Sequence, residues 1–329
     1  MRFQWFVYCI FVLCVMAVCM SCDRSFDPRG ALDRKPVVYA LLSSNRDVQY
    51  VRVEQTYMPV GFDPLVYTAD NFVPDAVVTI STQGVTTRLR DTMLVRSDTS
   101  RFKFPLRAYV IRPMKPTYGA SYVVRVETSG FGTASQAIVM PTKPAVAIDA
   151  SSIAIVDDPA GHPDKASMLF PISLGVGAFG FRGRMFVDYE VLIDGEWIAE
   201  RVEIPASFAS SDSQDIRYVI YPQFTRATSS GRAVGHHLNL VYQKTLSEIA
   251  YTKYPSTKIV FNRVVYQLSQ IDKNLYNYYL TTHSFEDPHS TRLDEPFFSG
   301  VAGGVGVIGA YTVDSLVHIL PENFVNNRW

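Results

Sequence analysis

The residues best suited to carry out chemistry are the cysteines, all of which lie in the first 22 positions: Cys9, Cys14, Cys19 and Cys22. Residues 5–20 follow Arg2 and form an uncharged, apolar run, which is typical of a secretory signal and shorter than a helix that spans a bilayer. A small residue, Ser21, then precedes Cys22, as at sites that are cleaved to leave a lipid-modified cysteine. We therefore predict a signal peptide over residues 1–21 and lipidation of Cys22. An ordinary signal peptide and a short membrane anchor are the alternatives.

Lipidation would leave the mature chain without a free thiol. The three other cysteines lie upstream of the predicted cleavage site, and acylation would consume the thiol of Cys22. The sequence therefore predicts neither a disulfide nor a thiolate metal site in the mature protein. Two or more acyl chains hold a protein stably on a bilayer, so the predicted partner of Cys22 is membrane lipid.

Residues 304–309 match the G-x-G-x-x-G pattern of dinucleotide sites. That chemistry requires a helix after the glycines and an acidic residue about 20 positions further on, within a βαβ unit. Only 20 residues follow Gly309, and residues 310–319 have the composition of a strand. We therefore interpret the glycines as positions where the backbone bulges or packs closely, and we predict no cofactor.

Two groups of polar residues could bind a metal ion, although neither has the spacing of a standard site. For each group the alternative is a solvated loop. The candidates are His283, Glu286, Asp287 and His289 in one group and Asp157 and Asp158 in the other.

No residues indicate catalysis. His236 and His237 are adjacent, so on a strand they would face opposite sides of a sheet and could not share a metal. The nucleophile pattern G-x-S-x-G does not occur. We predict that the protein is not an enzyme, and an envelope hydrolase is the less favoured alternative.

Tyr276, Tyr278 and Tyr279 are the densest set of aromatic residues. They could form a surface that binds a glycan or a peptide, or they could pack within the fold. The sequence leaves both interpretations open.

Composition narrows the class of protein. The chain has 31 basic and 31 acidic residues, and this balance does not favour a nucleic-acid partner. Hydrophobic residues make up 47% of the chain and charged residues 19%, which indicates a folded body. The 19 Tyr and 20 Phe residues favour strands over helices.

The elements that must position these residues are predicted to be mostly strands. After a polar tether over residues 22–35, short strands recur through residues 36–141 and again through residues 145–321. The two prolines in residues 141–144 indicate a boundary between the two sections. We predict a mainly β fold with two β-sandwich-like (immunoglobulin-like) modules.

Local patterns predict several further features. Asp194-Gly195 and Gln83-Gly84 indicate tight hairpins, and residues 236–242 alternate as a strand does. Residues 260–268 also alternate, with an interruption at Asn262. One short helix is predicted over residues 272–281, capped by Asp272.

The order of several segments resembles the domain-of-unknown-function 4249 family, whose members are envelope lipoproteins typical of Bacteroidota. The similar segments are residues 36–42 and 48–53, the aromatic strand 186–190, the tyrosine-bearing helix 275–280, the acidic-Pro pair in 295–297 and the glycine-rich strand 301–311. This chain departs from the family pattern at residues 299–301, where Ser-Gly-Val replaces the frequent Ser-Asn-Ile.

The resemblance implies an envelope lipoprotein of unresolved function with no established catalytic residues, and we expect the protein to lie at the outer membrane. Such proteins are often associated with genes for TonB-dependent receptors, which implies a non-enzymatic binding or accessory role beside an envelope protein. The side of the membrane that the protein faces is left open.

Overall fold

The computed structural model describes residues 32–320, apart from the ranges 59–67, 101, 147–153, 157–166, 211–216 and 284–298. Residues from Arg34 onward cluster as one compact unit. The predicted signal peptide, Cys22 and most of the tether lie outside the described residues. So do Asp157, Asp158, Glu286, Asp287 and His289, while for His283 only the backbone is described.

The protein is mainly β, as the sequence predicts. In chain order the strands are β1 (Pro36–Ser43), β2 (Gln49–Gln55), β3 (Val77–Thr82), β4 (Val85–Arg88), β5 (Arg90–Leu94), β6 (Leu106–Ile111), β7 (Ser121–Thr128), β8 (Gly132–Val139), β9 (Ala145–Val146), β10 (Ala154–Val156), β11 (Ser167–Ser173), β12 (Gly180–Ile193), β13 (Glu196–Ile204), β14 (Ser207–Ser210), β15 (Arg217–Ile220), β16 (Thr225–Arg226), β17 (Arg232–Leu238), β18 (Ile259–Ile271) and β19 (Val305–Ile319).

Two α-helices accompany these strands in the described part of the chain. Helix α1 spans Asn239–Ser247 and continues into a π-helical segment, Glu248–Lys253. Helix α2 spans Lys273–His283 and follows β18 directly.

The largest sheet has nine strands among the described residues, in the order β13-β12-β18-β19-β1-β2-β6-β5, with β16 paired to one end of β12. Strands β1 and β19 pair in parallel, although more than 250 residues of sequence separate them, and the other pairs in the sheet are antiparallel. Strand β19 is long enough to pair with β1 through Val305–Tyr311 and with β18 through Tyr311–Ile319. One strand therefore joins the two halves of the sheet.

A first hydrophobic core forms where the sheet β4-β3-β7-β8 packs against the β1, β2 and β6 region of the large sheet. Alternate residues of each strand enter this core, as expected for sheets with one buried face. Strands β4 and β5 are consecutive but belong to different sheets, and the buried Leu89 lies at the corner between them.

A second core forms under the β12, β13 and β18 region of the same large sheet. It is covered by the sheet of β9, β10, β11 and β17, and by helix α1 with its π-helical continuation. Phe170 and Tyr266 stack at its centre with their ring centroids 4.0 Å apart. The two cores are thus sandwich-like layers on one shared sheet.

The predicted boundary at residues 141–144 lies between the strands of the first core and those of the second. Thr142 is bonded into the fold there: its N–H donates to the Val176 carbonyl (2.9 Å), its hydroxyl accepts from the Val176 N–H (2.7 Å), and its carbonyl accepts from the Gln270 amide. The division into modules at this point stays a prediction.

The predicted strand over residues 236–242 is wrong beyond Leu238. Helix α1 begins at Asn239 and buries Val241, Tyr242 and Leu246. Tyr242 follows Val241 by one position and Leu246 follows Tyr242 by four. This spacing places all three side chains on one face of the helix, which packs against the second core. Because the short run before them alternates as in a strand, the sequence pattern does not show that a helix begins at Asn239.

The other local predictions are confirmed. Asp194 and Gly195 form the tight turn between β12 and β13 with positive φ angles of 52° and 87°. The pairing of β12 with β18 shifts its register at Asn262, so the interruption in the pattern is a β-bulge. Helix α2 matches the predicted helix, and the Leu275 N–H donates to Asp272 Oδ1 at 3.0 Å, which confirms the cap.

Candidate functional site: a charged cleft at one end of the large sheet

An open cleft of about 720 Å³ lies on the large sheet. Strands β12, β13 and β18 and the end of β19 form it. Its lining residues are Asp188, Tyr189, Glu190, Ala199, Glu200, Arg201, Val260, Phe261, Asn262, Arg263, Val317, Ile319 and Leu320. The bulge at Asn262 lies within this lining, and bulges are common next to functional sites because they redirect side chains.

The cleft lies far from the point where the chain joins the sheet. Val305, at the start of β19, is level with Val37 near the start of β1, whereas Ile319 is paired with Arg263 in the cleft. From Val305 to Ile319 the strand advances 14 residues, which at about 3.3 Å per residue is roughly 46 Å. The cleft and the start of β1 are therefore at opposite ends of β19.

Asp188 organises the first group of charges in the cleft. Arg201 on β13 binds this carboxylate with two N–H groups, with Nη2 at 2.8 Å from Oδ2, and Arg263 Nε on β18 donates to the same oxygen at 2.6 Å. The hydrogen bond from Arg201, supported by that from Arg263, holds the pKa of Asp188 below its ordinary value. Asp188 is therefore an ionised anchor for two guanidinium groups rather than a base.

Glu200 organises a second group on the other face of β13. It accepts from Lys253 Nζ at 2.7 Å, from the Tyr254 hydroxyl at 2.6 Å and from the Tyr189 hydroxyl. The hydrogen bond from Lys253, with further contributions from the two tyrosine hydroxyls, lowers the pKa of Glu200 to about 2. Burial raises the pKa of Tyr189 to about 12, so its hydroxyl stays protonated near neutral pH.

This geometry suits binding better than acid–base chemistry. A general base near neutral pH needs a pKa close to 7, whereas Asp188 and Glu200 are both held ionised by donors. Arg201 and Arg263 are about half exposed, with 47% and 50% of their side chains accessible. Among the described residues no acceptor contacts the terminal Nη atoms of Arg263, so its outer N–H groups can serve a partner.

Apolar side chains lie beside these arginines. Val317 is 48% exposed and Ile319 is 77% exposed, and both line the cleft. Fixed arginines next to exposed apolar residues are typical of protein–protein interfaces, where Arg and apolar anchors contribute much of the binding energy.

The three tyrosines that the sequence singles out take part in packing. Tyr276 is buried and meets Phe179 edge-on at 5.5 Å, and Tyr279 meets Phe224 at 5.2 Å. Tyr278 contacts Tyr39 of β1. Each ring thus holds helix α2 on the fold.

The G-x-G-x-x-G segment is a site of close backbone packing, as predicted. A Cβ at Gly306 would lie 2.3 Å from the Val38 carbonyl oxygen, and one at Gly309 would lie 2.8 Å from Leu275 Cβ. Gly306 also has a φ of +107°, which side-chain-bearing residues rarely adopt. These glycines let β19 approach β1 and helix α2, and the segment continues as strand instead of opening a helix.

His236 and His237 lie on opposite faces of β17, as predicted. His236 is exposed, whereas His237 is 1% exposed and packs edge-on against Phe170 and Tyr266. Burial lowers the pKa of His237 to about 4, and neither ring nitrogen has a hydrogen-bond partner among the described residues. Within those residues no three His, Cys, Asp or Glu side chains come together as a metal site would require.

The sequence does not reveal the charged cleft. Asp188 lies in the aromatic strand 186–190, but its partners come from two other strands, and Arg263 is 75 residues away. The alternation along β12 and β18 marks which residues share a face. It does not show which strands are neighbours.

The comparisons place the chain in a family. The profile of the domain of unknown function DUF4249 matches residues 26–316. The chain therefore belongs to the DUF4249 family. No curated protein matches the sequence. In the described part of the chain no helix is long and apolar enough to cross a bilayer.

Proposed function

We propose that this DUF4249 member is a lipoprotein, anchored through acylated Cys22 to the outer membrane, and that it serves as a non-enzymatic binding or accessory protein for an envelope protein such as a TonB-dependent receptor. The chain joins β1 at one end of the large sheet, and β19 carries the charged cleft roughly 46 Å away along the strand. This separation is the observation that carries the proposal. It lets the cleft meet a partner while the other end stays near the lipid.

The chemistry of the cleft supports a protein partner. Asp188 fixes Arg201 and Arg263 in place before binding, so little side-chain entropy is lost when a partner docks. The exposed Ile319 adds apolar area beside them. A carboxylate next to an apolar side chain on the partner fits this surface.

Lipidation is tested on the purified protein by mass spectrometry of its mature N-terminus. We expect the chain to begin at Cys22 with attached acyl groups, and the Cys22→Ala variant to lose both cleavage at this site and membrane association. Normal processing and membrane fractionation of Cys22→Ala would refute the anchor.

Partner binding is tested by cross-linking in intact cells, followed by detergent extraction and capture of the protein. We expect Arg263→Ala to reduce recovery of the partner about tenfold or more, as for an interface residue that contributes about 2 kcal/mol. Asp188 keeps its two bonds from Arg201 in this variant, so the fold is retained.

Arg125→Ala is the matched control. Arg125 is similarly exposed, at 53%, and is also paired with a carboxylate, Glu127, but it lies on β7 of the other sheet. Equal recovery of the partner by parent, Arg263→Ala and Arg125→Ala would exclude the cleft as the binding surface. Binding of a glycan or a peptide at another surface is the alternative function, and an envelope hydrolase is a more distant one.

A further inference from the structure

The end of β5 and the loop between β5 and β6 expose apolar side chains to an unusual extent. Val95 is 98% exposed and Met93 is 71% exposed, at the edge of the large sheet. Tyr57 and Met58, which follow β2, are 38% and 40% exposed. Single exposed apolar residues are common on protein surfaces, but these four are all placed at one end of the sheet.

Cations and aromatic rings accompany them. The Arg96 guanidinium lies 5.2 Å from the ring centroids of both Phe102 and Phe104, and its Nε donates to the Phe104 carbonyl at 3.2 Å. Lys103 is exposed and donates to the Thr99 carbonyl at 2.8 Å. Apolar tips flanked by aromatic rings and by cations on long aliphatic stems are typical of surfaces that lie in the lipid headgroup region.

This loop is at the end of the sheet where the chain joins β1. The Thr56 N–H, just past β2, donates to the Lys35 carbonyl at 3.1 Å, and Leu94 is paired with Leu106 at the base of the loop. A small cavity of about 180 Å³ is lined jointly by residues from the end of β2 and from the loop. Its lining includes Glu54, Tyr57, Arg96, Phe102 and Phe104.

The length of chain before β1 limits how far this end can lie from the predicted anchor. Cys22 is 14 residues before Pro36, so the two are at most about 50 Å apart. The exposed apolar and cationic residues thus lie within reach of the bilayer that Cys22 would enter.

We propose that Met93 at the end of β5, the described residues of the β5–β6 loop, Tyr57 and Met58 together dock on a phospholipid surface and orient the protein on the membrane. Val95 and Met93 enter the headgroup region, and Arg96 and Lys103 meet the phosphates of anionic lipids. This inference rests on the proposed lipid anchor. It adds a second membrane contact, which would direct the charged cleft away from the lipid.

The test uses a fluorophore attached to Val95→Cys in the lipidated protein, reconstituted in phosphatidylethanolamine–phosphatidylglycerol vesicles. Acylation of Cys22 leaves the mature chain without another thiol, so the label is unique. Ile319→Cys is the matched control, because it is 77% exposed at the opposite end of β19. We expect the label at position 95 to shift to shorter emission wavelength, to be quenched by brominated lipid and to be severalfold less accessible to aqueous iodide than the label at position 319.

The outcomes separate the two proposals. If the protein does not float with the vesicles, the anchor itself fails. If it floats but the labels at 95 and 319 respond equally to iodide and to brominated lipid, the docking inference alone is wrong. Shielding of position 95 in native envelopes but not in pure vesicles would also overturn it, since that result indicates a protein partner at the loop.

A second variant tests the role of the apolar side chain. Met93→Asp in the Val95→Cys background places a charge at a position that is 71% exposed, so the fold is not perturbed. We expect this variant to float as the parent does and to lose the quenching by brominated lipid. Unchanged quenching would contradict insertion of this loop.

Discussion

Replacing Asp272 by asparagine should remove the pH dependence that this residue gives to stability. Asp272 caps helix α2 with its side chain almost completely buried, at 5% exposure, and Gly309 packs against it. Burial raises the pKa of this carboxyl to about 6, although hydrogen bonds from the backbone of Leu275 and at Ala310 oppose the rise. The folded protein therefore favours the protonated side chain.

The size of the effect follows from the two pKa values. In an unfolded chain an aspartate has a pKa of about 3.9, so between about pH 4 and about pH 6 the folded state binds more protons than the unfolded state. The stabilisation of the folded state by protonated Asp272 is complete below about pH 4 and is lost as the pH rises through about 6. The difference of about two units between the folded and unfolded pKa values corresponds to roughly 3 kcal/mol in the free energy of unfolding.

The asparagine side chain of the variant would remain uncharged at every pH and would still accept the Leu275 N–H bond, because asparagine is as good a helix cap as aspartate. We expect Asp272→Asn to unfold at a higher urea concentration than the parent at about pH 8 and at a similar concentration at about pH 4. The measurement is equilibrium urea unfolding followed by intrinsic fluorescence across this range.

Asp98→Asn is the control for this comparison. Asp98 also accepts a backbone N–H, from Ser100 at 2.8 Å, but it lies on an exposed loop and its pKa is lowered by that bond. This variant should not gain stability at high pH. If the unfolding midpoints of Asp272→Asn and the parent differ by the same amount at every pH, Asp272 does not titrate as the geometry requires.

Three further changes test other parts of the fold. The parent should lose about 3 kcal/mol of its free energy of unfolding as the pH falls from about 6.5 to about 4, because the folded protein resists protonation of His237, and His237→Leu should abolish this loss. The slope of the urea midpoint against pH measures the loss, and an unchanged slope in the variant would contradict the assignment. Gly306→Ala should destabilise the protein by about 3 kcal/mol or more, because the new Cβ would clash with the Val38 carbonyl and the backbone has a positive φ, whereas the Cβ of Gly130→Ala would meet no atom within 4 Å and should have no such effect. Equal melting temperatures for the two variants would refute the packing argument. Asp188→Asn should lower the free energy of unfolding by about 1–3 kcal/mol at neutral pH, and the difference from the parent should shrink in acid, because the parent carboxyl becomes protonated there. A difference in unfolding free energy that does not change with pH would contradict the ion-pair account.

Local signals in the sequence predict the features that depend on a few adjacent residues. The Asp194-Gly195 turn and the Asp272 cap follow from the conformational or hydrogen-bonding preference of one or two side chains, and the interruption of the alternating pattern at Asn262 marks the position of the bulge. The packing of the glycines in β19 is also accessible from sequence, because residues 310–319 have the composition of a strand rather than of the helix that a dinucleotide site requires. These predictions need no knowledge of which strands are neighbours.

Features that depend on distant strands could not be predicted in the same way. The parallel pairing of β1 with β19 joins residues near the two ends of the described chain, and nothing in either strand specifies the other. The charged cleft could not be predicted for the same reason, because Asp188, Arg201 and Arg263 come from three strands. Helix α1 escapes prediction for a different reason: residues 236–238 alternate as a strand and the helical spacing begins only after them.

The long strand β19 connects the proposals physically. Its first residues pair with β1, where the chain arrives from Cys22, and its last residues line the charged cleft. A lipid contact at the β5–β6 loop would add a second fixed point at the first end, since that loop and the start of β1 share one end of the sheet. Two contacts at one end of a sheet restrict its tilt more than a single contact does. The cleft would then be presented at a defined height above the lipid, where an outer-membrane partner can meet it. Loss of partner capture on mutation of the loop, with the cleft residues intact, is the result that this coupling requires.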